Sequence, residues 1–401
     1  MKERNSKRIG LVLSAVPGYS ETFFRNKIAG LQAHGIEVVL FVTDASGPST
    51  TAFGCRVIPG RPFKGAVWYQ MLLSIWVLFG VLLKHPRRSV RHFTLDRATG
   101  FSVFSCVKRL VTNAFLFSTS VDWLHFGFGM LAVGREHVAA SIGADMAVSF
   151  RGFDLYLSPL KHPGCYDLLF KKAVRYHVLS QEMQADLIAL GISKACIHVI
   201  PPAIDVAFFN KELVTCVVDG SAPLRLVSVA RLHWKKGLEY TLEALAILQQ
   251  QGIAFEYTII GSGSERERLV FAAHQLGISA SVIFAGKMAP EAVKATLSQS
   301  DVYVQYSIQE GFCNAVLEAQ AMGLLCVVSD AEGLAENVLD GNTGWVVPKR
   351  QPALLARHLV DILNLSGSQQ MAIRHRAQAR VQATFYLEQQ QAAFVTFYQA
   401  S

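Results

Sequence analysis

Glu310-Gly311-Phe312-Cys313-Asn314-Ala315-Val316-Leu317-Glu318 joins an apolar strand-like run, Asp301-Val302-Tyr303-Val304-Gln305-Tyr306, to a helical pattern ending near Met322-Gly323. Two carboxylates therefore flank a strand-to-helix turn, with Glu310 in the loop and Glu318 about two turns into the helix. Between them, the backbone N–H groups of the first helical turn lack an intrahelical acceptor and can meet an anion. A ligand with phosphates and hydroxyl-rich ends suits such a turn: amides for the phosphates, carboxylates for the hydroxyls. Acidic residues near a helix start also stabilise its dipole with no ligand present. The segment alone supports both readings equally.

Outward from this turn, strands and helices alternate along most of the chain. Ile9 to Ser14 is a continuous apolar run, as in a strand covered on both faces. After the loop Ala15-Val16-Pro17-Gly18-Tyr19, Ser20 is placed to cap a helix with Phe23, Phe24, Ile28 and Leu31 on its apolar face. Further strands are predicted at Ile36–Val42, Val121–Gly127, Met146–Phe150, Tyr176–Leu179 and Ile197–Ile200, before Pro201-Pro202 breaks the pattern. Periodicity is lost from Asp205 to Pro223. A second series follows, with strands at Leu224–Val229, Phe255–Ile260, Val282–Ala285, Val302–Tyr306, Leu325–Ser329 and Trp345–Val347. The expected fold class is α/β: two Rossmann-like, doubly wound parallel-sheet domains facing across a cleft. The expected division is 1–205, a linker at 206–223, 224–375, and a helical segment 376–401 anchored by Phe385, Tyr386, Phe394 and Tyr398.

A chain of 401 residues with 51% apolar and 17% charged residues has material for two sizeable cores. The net charge of +8 suits anionic partners. No basic–aromatic interleaving or zinc spacing accompanies it, so nucleic acid is not expected as a partner. Seven scattered cysteines without a CxxC argue for a reducing compartment and against a metal site. Basic residues before Ile9–Val16 imitate a signal peptide, but Pro17-Gly18 interrupts the short apolar run. A first buried strand in a cytosolic protein is the better reading.

Gly65 to Leu83 carries no charge and includes Trp68, Tyr69, Leu72, Leu73, Ile75, Trp76 and Phe79, and Lys84-His85-Pro86-Arg87-Arg88 follows. Three readings stand: a membrane span of borderline length, a buried or partly buried helix of the first domain, or an apolar face resting on a membrane with its basic flanks on anionic headgroups. Phe101 to Phe117, with Lys108 and Arg109, fits the same surface.

Arg231 and Lys236 lie in Ala230-Arg231-Leu232-His233-Trp234-Lys235-Lys236-Gly237, a loop between a strand's carboxyl end and a helix. Two cations there can neutralise a diphosphate, or form only a solvated basic loop. Gly261-Ser262-Gly263-Ser264 lacks the third glycine and the acidic residue of a dinucleotide fingerprint. His125 and Arg151-Gly152-Phe153-Asp154 are polar groups at expected strand exits of the first half.

Together these residues resemble the retaining GT-B glycosyltransferases of family 4, the glycosyl transferases group 1 proteins. The resemblance is strongest from Leu224 to Val347. It rests on Ala230-Arg231 with Lys236-Gly237, Ile260-Gly261-Ser262-Gly263, Phe284-Ala285-Gly286, Glu310 to Glu318, and Gly333-Leu334-Ala335-Glu336-Asn337 before Gly341-Asn342-Thr343-Gly344-Trp345. It implies transfer of a sugar from a nucleotide diphosphate sugar, UDP favoured over GDP, to a glycan or lipid-linked acceptor. Retention, no cofactor and no metal are implied with it. Catalytic roles fall on Glu310, Arg231, Lys236, His125 and Arg151. Arg231 and Lys236 would hold the diphosphate, and Glu310 would face the sugar near the reacting carbon. Donor binding falls on Gly18, Gly263, Lys287, Met288, Gly311, Phe312, Cys313, Asn314 and Glu318, with Glu318 on the ribose hydroxyls and Lys287-Met288 near the base. Many relatives carry a histidine where this chain has Arg151, which leaves the sugar open. The expected setting is surface polysaccharide or glycolipid assembly, cytoplasmic and in peripheral contact with an anionic membrane. A nucleotide-sugar epimerase, a soluble sucrose- or glycogen-type synthase and a non-catalytic nucleotide-sugar-binding partner protein are the rival readings.

Overall fold

The structure, a computed structural model, describes residues 7–18, 22–43, 51–61, 63, 65–213 and 217–399. The expected Ser20 cap lies outside the described residues. The chain forms two compact units, one of Met1–Val178, Gln184–Ile200 and Gln391–Ser401, the other of Leu179–Met183 and Pro201–Gln390. The division thus falls at Pro201, where the two prolines interrupt the pattern, and not at Asp205.

The first unit is built on an eight-stranded sheet of β1 (Arg8–Leu13), β2 (Glu37–Val42), β3 (Thr51–Ala52), β4 (Cys55–Pro59), β5 (Trp123–Phe126), β6 (Asp145–Ser149), β7 (Arg175–Val178) and β8 (Ile197–Val199). Their order is β3-β4-β2-β1-β5-β6-β7-β8. Only β3 runs antiparallel to its neighbour among the described pairings. In β1 and β2 every residue after the first is buried, which is why they read as unbroken apolar runs. The run after the basic N-terminal residues is therefore a sheet strand. The order reverses between β1 and β5, so the loop carrying Gly18 leaves the sheet at its switch point.

The C-terminal helix Leu387–Gln399 belongs largely to this first unit. The Tyr398 carbonyl accepts from Trp123 Nε1 at 3.1 Å and from Lys7 Nζ at 2.9 Å, and Phe394 and Tyr398 are buried. Gly30 of α1 (Thr22–Ala33) is required for this docking, because a Cβ there would lie 2.2 Å from Gln391 Cγ.

Between β4 and β5 stand α2 (Val67–Lys84), α3 (Pro86–Ala98) and α4 (Val103–Asn113). Of the readings for α2, a fully buried helix is excluded: 11% of it is buried, with Val77 and Val81 covered, so it is at most a partly buried helix of this unit. It is the one described helix long and apolar enough to cross a membrane by length and composition.

The second unit is built on a six-stranded sheet of β9 (Leu224–Val229), β10 (Phe255–Ile260), β11 (Val282–Gly286), β12 (Val302–Gln305), β13 (Leu325–Ser329) and β14 (Trp345–Val347). The order is β11-β10-β9-β12-β13-β14, with each neighbouring pair parallel. The reversal lies between β9 and β12, whose carboxyl ends lead into the Arg231–Lys236 loop and the Glu310 turn.

Candidate functional site

Four loops interlock at the carboxyl edge of the second sheet. Leu232 N–H donates to the Ser262 carbonyl at 3.0 Å, and Ile308 N–H donates to the Lys235 carbonyl at 2.7 Å. Glycines permit the close approaches. A Cβ on Gly237 (φ +61°) would lie 2.1 Å from the Tyr306 carbonyl oxygen, and one on Gly263 would lie 2.1 Å from that of Leu232. Gly263, which the resemblance places among the donor-binding residues, thus seats one site loop on another.

This interlock brings Lys236 Nζ onto the Glu310 carboxylate in an ion pair whose side chains are each 11% exposed. Burial works against the lysine's charge, but the adjacent carboxylate holds its pKa above the usual lysine range. Arg231, exposed on the same loop, is close enough for its charge to be felt at Lys236. Glu310 is fixed from behind: its N–H donates to Glu332 Oε2 at 2.9 Å, and Glu332 Oε1 pairs with Lys349 Nζ at 3.3 Å.

The helix after this turn runs from Asn314 to Ala321, so Glu318 stands about one turn into it, not two. Its N-cap residue, Cys313, makes no side-chain cap hydrogen bond. Asn337, fully buried, brackets the turn: Cys313 N–H donates to Asn337 Oδ1 at 3.1 Å and Asn337 Nδ2 donates to the Cys313 carbonyl at 2.9 Å. Glu332 and Asn337 are positioning residues. Asn337 belongs to the Gly333–Asn337 pattern, but spacing gave it no role.

Burial pushes the Glu318 carboxyl up to about 7. Burial likewise pushes the Cys313 thiol up to about 11, against the pull of Lys236. Gly311, Phe312 and Cys313 are buried and Asn314 is half-buried. Phe312 packs on Phe385 at 5.7 Å between centroids. Its ring lies in the core under the turn. Lys287 and Met288 follow β11, with Lys287 exposed and Met288 half-buried.

The first unit treats its three expected site residues differently. Arg151, half-buried after β6, lies over the rings of Phe23 and Phe24, 3.7 and 4.8 Å from their centroids. Its N–H donates to Asp154 Oδ1 at 2.7 Å. Gly18 is exposed in the loop after β1. His125 is not at a strand exit. It pairs with Leu11 and Ala147 within the sheet and is fully buried.

Hydrogen bonding fixes the state of His125. The Ile200 carbonyl can only accept, so His177 Nε2 donates to it at 3.0 Å. His177 Nδ1 then accepts from Ser149 Oγ at 2.8 Å, Ser149 accepts from His125 Nε2 at 2.7 Å, and His125 Nδ1 accepts from the Tyr398 hydroxyl at 2.5 Å. Burial holds both imidazoles well below the usual histidine range and so neutral, and this sequence of donors is the one two neutral rings make. His125 is a structural link in this chain, and the expected catalytic role is corrected on that ground.

Two doubly wound parallel-sheet units, one bearing a cation–carboxylate turn at its switch point, define the GT-B class of transferase. A solved structure of Anabaena Alr3699/HepE in complex with UDP has this fold: 18% identity, 97% of this chain and 99% of that one covered, TM-score 0.69. Residues 221–380 match the family model "Glycosyl transferases group 1". The chain is 31% identical over 278 residues to the amylovoran biosynthesis glycosyltransferase AmsK of Erwinia amylovora, covering 67% of both. It is 26% identical over 395 residues to the putative colanic acid biosynthesis glycosyltransferase WcaL of Escherichia coli K12, covering 94% of this chain and 96% of that one. The chain belongs to the glycosyl transferases group 1 family and is a glycosyltransferase.

Proposed function

We propose that the protein transfers a sugar, with retention and without a metal, from a UDP-sugar to a glycan or lipid-linked acceptor during assembly of a bacterial surface polysaccharide. The observation that carries this reading is the Lys236–Glu310 ion pair beside Arg231 at the switch point of the second sheet. The names of AmsK and WcaL, both of polysaccharide biosynthesis, and the UDP bound to HepE support the substrate classes.

In this reading Arg231 and Lys236 meet the diphosphate and the helix start at Asn314 adds its N–H groups. As the bond from the sugar's anomeric carbon to the diphosphate oxygen breaks, negative charge collects on that oxygen, where the two cations stabilise it most. The acceptor hydroxyl oxygen bonds to the anomeric carbon on the face the nucleotide leaves, and its proton passes to the departing phosphate. Glu310 accepts from a sugar hydroxyl and orients the ring, and Glu318 accepts from the ribose.

The test is a panel of UDP- and GDP-sugars, read by thermal stabilisation, nucleotide release and the anomeric configuration of the product. A UDP-sugar that stabilises the protein, releases UDP and yields a product of unchanged configuration is expected. Inverted product would remove retention. Absence of binding and release with every donor would overturn the proposal.

A further inference from the structure

The solvent face of α2 is more apolar than the face it packs. Trp68, Leu72, Ile75, Trp76, Phe79 and Leu83 form one helical stripe and are all exposed, Trp76 and Phe79 at 64% each. The covered side holds Val77 and Val81 together with the polar Gln70 and Ser74, which are half-buried. Those two polar groups are satisfied locally: Gln70 Nε2 donates to the Gly65 carbonyl at 2.8 Å and Ser74 Oγ to the Gln70 carbonyl at 2.7 Å. A helix meant to face water has the opposite pattern. At the start of α4, Val103 and Phe104 are exposed as well, Phe104 at 78%.

Charge gathers in the same segment. Residues 61–120 contain nine lysines and arginines and a single acid, Asp96, a net of +8, which is the formal charge of the whole chain. The remainder of the protein is neutral in sum. Asp96 does not offset the surface, because it is buried with Arg109 at 3.0 Å and His137 at 2.7 Å. Arg87, Arg91, Arg97 and Lys108 are exposed, and the Arg61 guanidinium lies over the Trp76 ring, 4.7 Å from its centroid.

We propose that the α2–α4 segment is a monotopic membrane-docking surface, on which the α2 stripe enters the headgroup–acyl boundary of an anionic bilayer and the flanking cations take its phosphates. Charge complementarity selects this occupant. A second copy seated symmetrically on the stripe would press the same excess of cations against itself. A span is disfavoured because the C-terminal half of α2 is tied to the unit: Val77 and Val81 are covered, and Ser89 Oγ of α3 donates to the Val81 and His85 carbonyls at 3.3 and 2.9 Å. The Asp96 network in turn fastens α3 to α4 and to Glu136 through Arg109. The surface is therefore a fixed part of the first unit, and the inference does not depend on the proposed donor or acceptor.

The experiment is flotation of the full chain with phosphatidylcholine vesicles, with and without phosphatidylglycerol, over a range of salt. Binding to the anionic vesicles is expected, falling with salt. Trp76→Ser with Phe79→Ser should lower the partition coefficient about tenfold or more, and so should Arg87→Glu with Arg91→Glu. All four side chains are exposed, so Tm and nucleotide-sugar binding should stay unchanged in both variants. A tryptophan blue shift with vesicles, lost in Trp68→Phe with Trp76→Phe, should report the insertion. Equal recovery with both vesicle types would overturn the proposal. So would a stable dimer that protects α2 from labelling, or retention in membranes after alkaline carbonate, which marks a span.

Discussion

Lys236 of the second unit sits beside the Glu310 carboxylate, its side chain 11% exposed. Lys27 of the first unit is buried with His125 Nδ1 at 3.3 Å and the Phe394 ring 4.2 Å from its Nζ. Its surroundings hold no carboxylate partner among the described residues, and Arg151 is the charge it feels. Burial, and then Arg151, hold its pKa well below the lysine range, whereas the partner of Lys236 overrides burial and raises it. Burial alone therefore does not mark a site. At the carboxyl edge of the second sheet an opposite charge keeps a buried lysine ionised at a loop between strand and helix, whereas around Lys27 no described carboxylate does so.

The largest separation between the two lysines should come from the same substitution at each. Lys236→Met removes a cation from the proposed leaving group and should lower kcat/KM by about 10²–10³-fold, in the range seen for one lost electrostatic contact. It should also lower Tm, because Glu310 is left without its partner. Arg231→Ala should lower kcat/KM comparably with little change in Tm, since Arg231 is exposed. Steady-state kinetics beside thermal melts checks both. If Lys236→Met left kcat/KM within threefold of the parent, Lys236 would be a second structural lysine and the contrast would collapse.

A smaller effect should follow from Glu318, whose carboxyl titrates near 7 because burial disfavours its charge. In the proposed ribose contact the hydroxyls donate to the ionised form, so donor binding would drive off the proton below that pH. Affinity for an intact nucleotide sugar should fall by up to tenfold per unit as pH drops below about 7, and level off above it. Glu318→Gln should bind more weakly at high pH and lose the slope. Calorimetry across that range decides the matter, and a flat profile for the parent protein would remove Glu318 from the ribose.

What the chain reveals in advance follows the same physics. β9, β10, β13 and β14 match their expected bounds: β13 is buried throughout and reads as one apolar run, and β9 and β10 each carry a single exposed charged residue, at the second position, in an otherwise strand-like run. β4 is harder to read: Cys55-Arg56-Val57-Ile58-Pro59 is short, includes an exposed arginine and ends in proline, and its pairing with β2 and β3 makes it a strand. The exposed face of α2 was not legible, because periodicity cannot tell a face turned outward from one turned inward when both are apolar. Only the packing of α3 and α4 decides it. His125 was misjudged because its neighbours in the sheet, Leu11 and Ala147, set its depth, and a single strand's sequence does not contain them. Arg231, Lys236 and Glu310 were legible because loops at strand ends carry their chemistry outward whatever the register.

The smallest expected effect is also the one that tests the first unit directly. Lys27→Met replaces an amine in an aromatic and imidazole environment with an apolar chain of similar length. The unfolded chain holds its proton up to about 10.4, whereas the folded chain releases it well below that. Between those values the unfolded state binds more protons, so the parent's stability rises with pH and is lost as pH falls. The substitution removes that linkage and the cost of a poorly solvated amine, while Tyr398 still donates to His125. A gain of about 1–2 kcal/mol at neutral pH, a few degrees in Tm, is expected with unchanged kcat/KM. The pH dependence of Tm between about 6 and 9 should flatten. A loss of stability with an unflattened profile would mean that Lys27 is charged in the folded protein. Its cation–aromatic contacts would then be doing for Lys27 what Glu310 does for Lys236, and the two regions would differ in partner and not in charge.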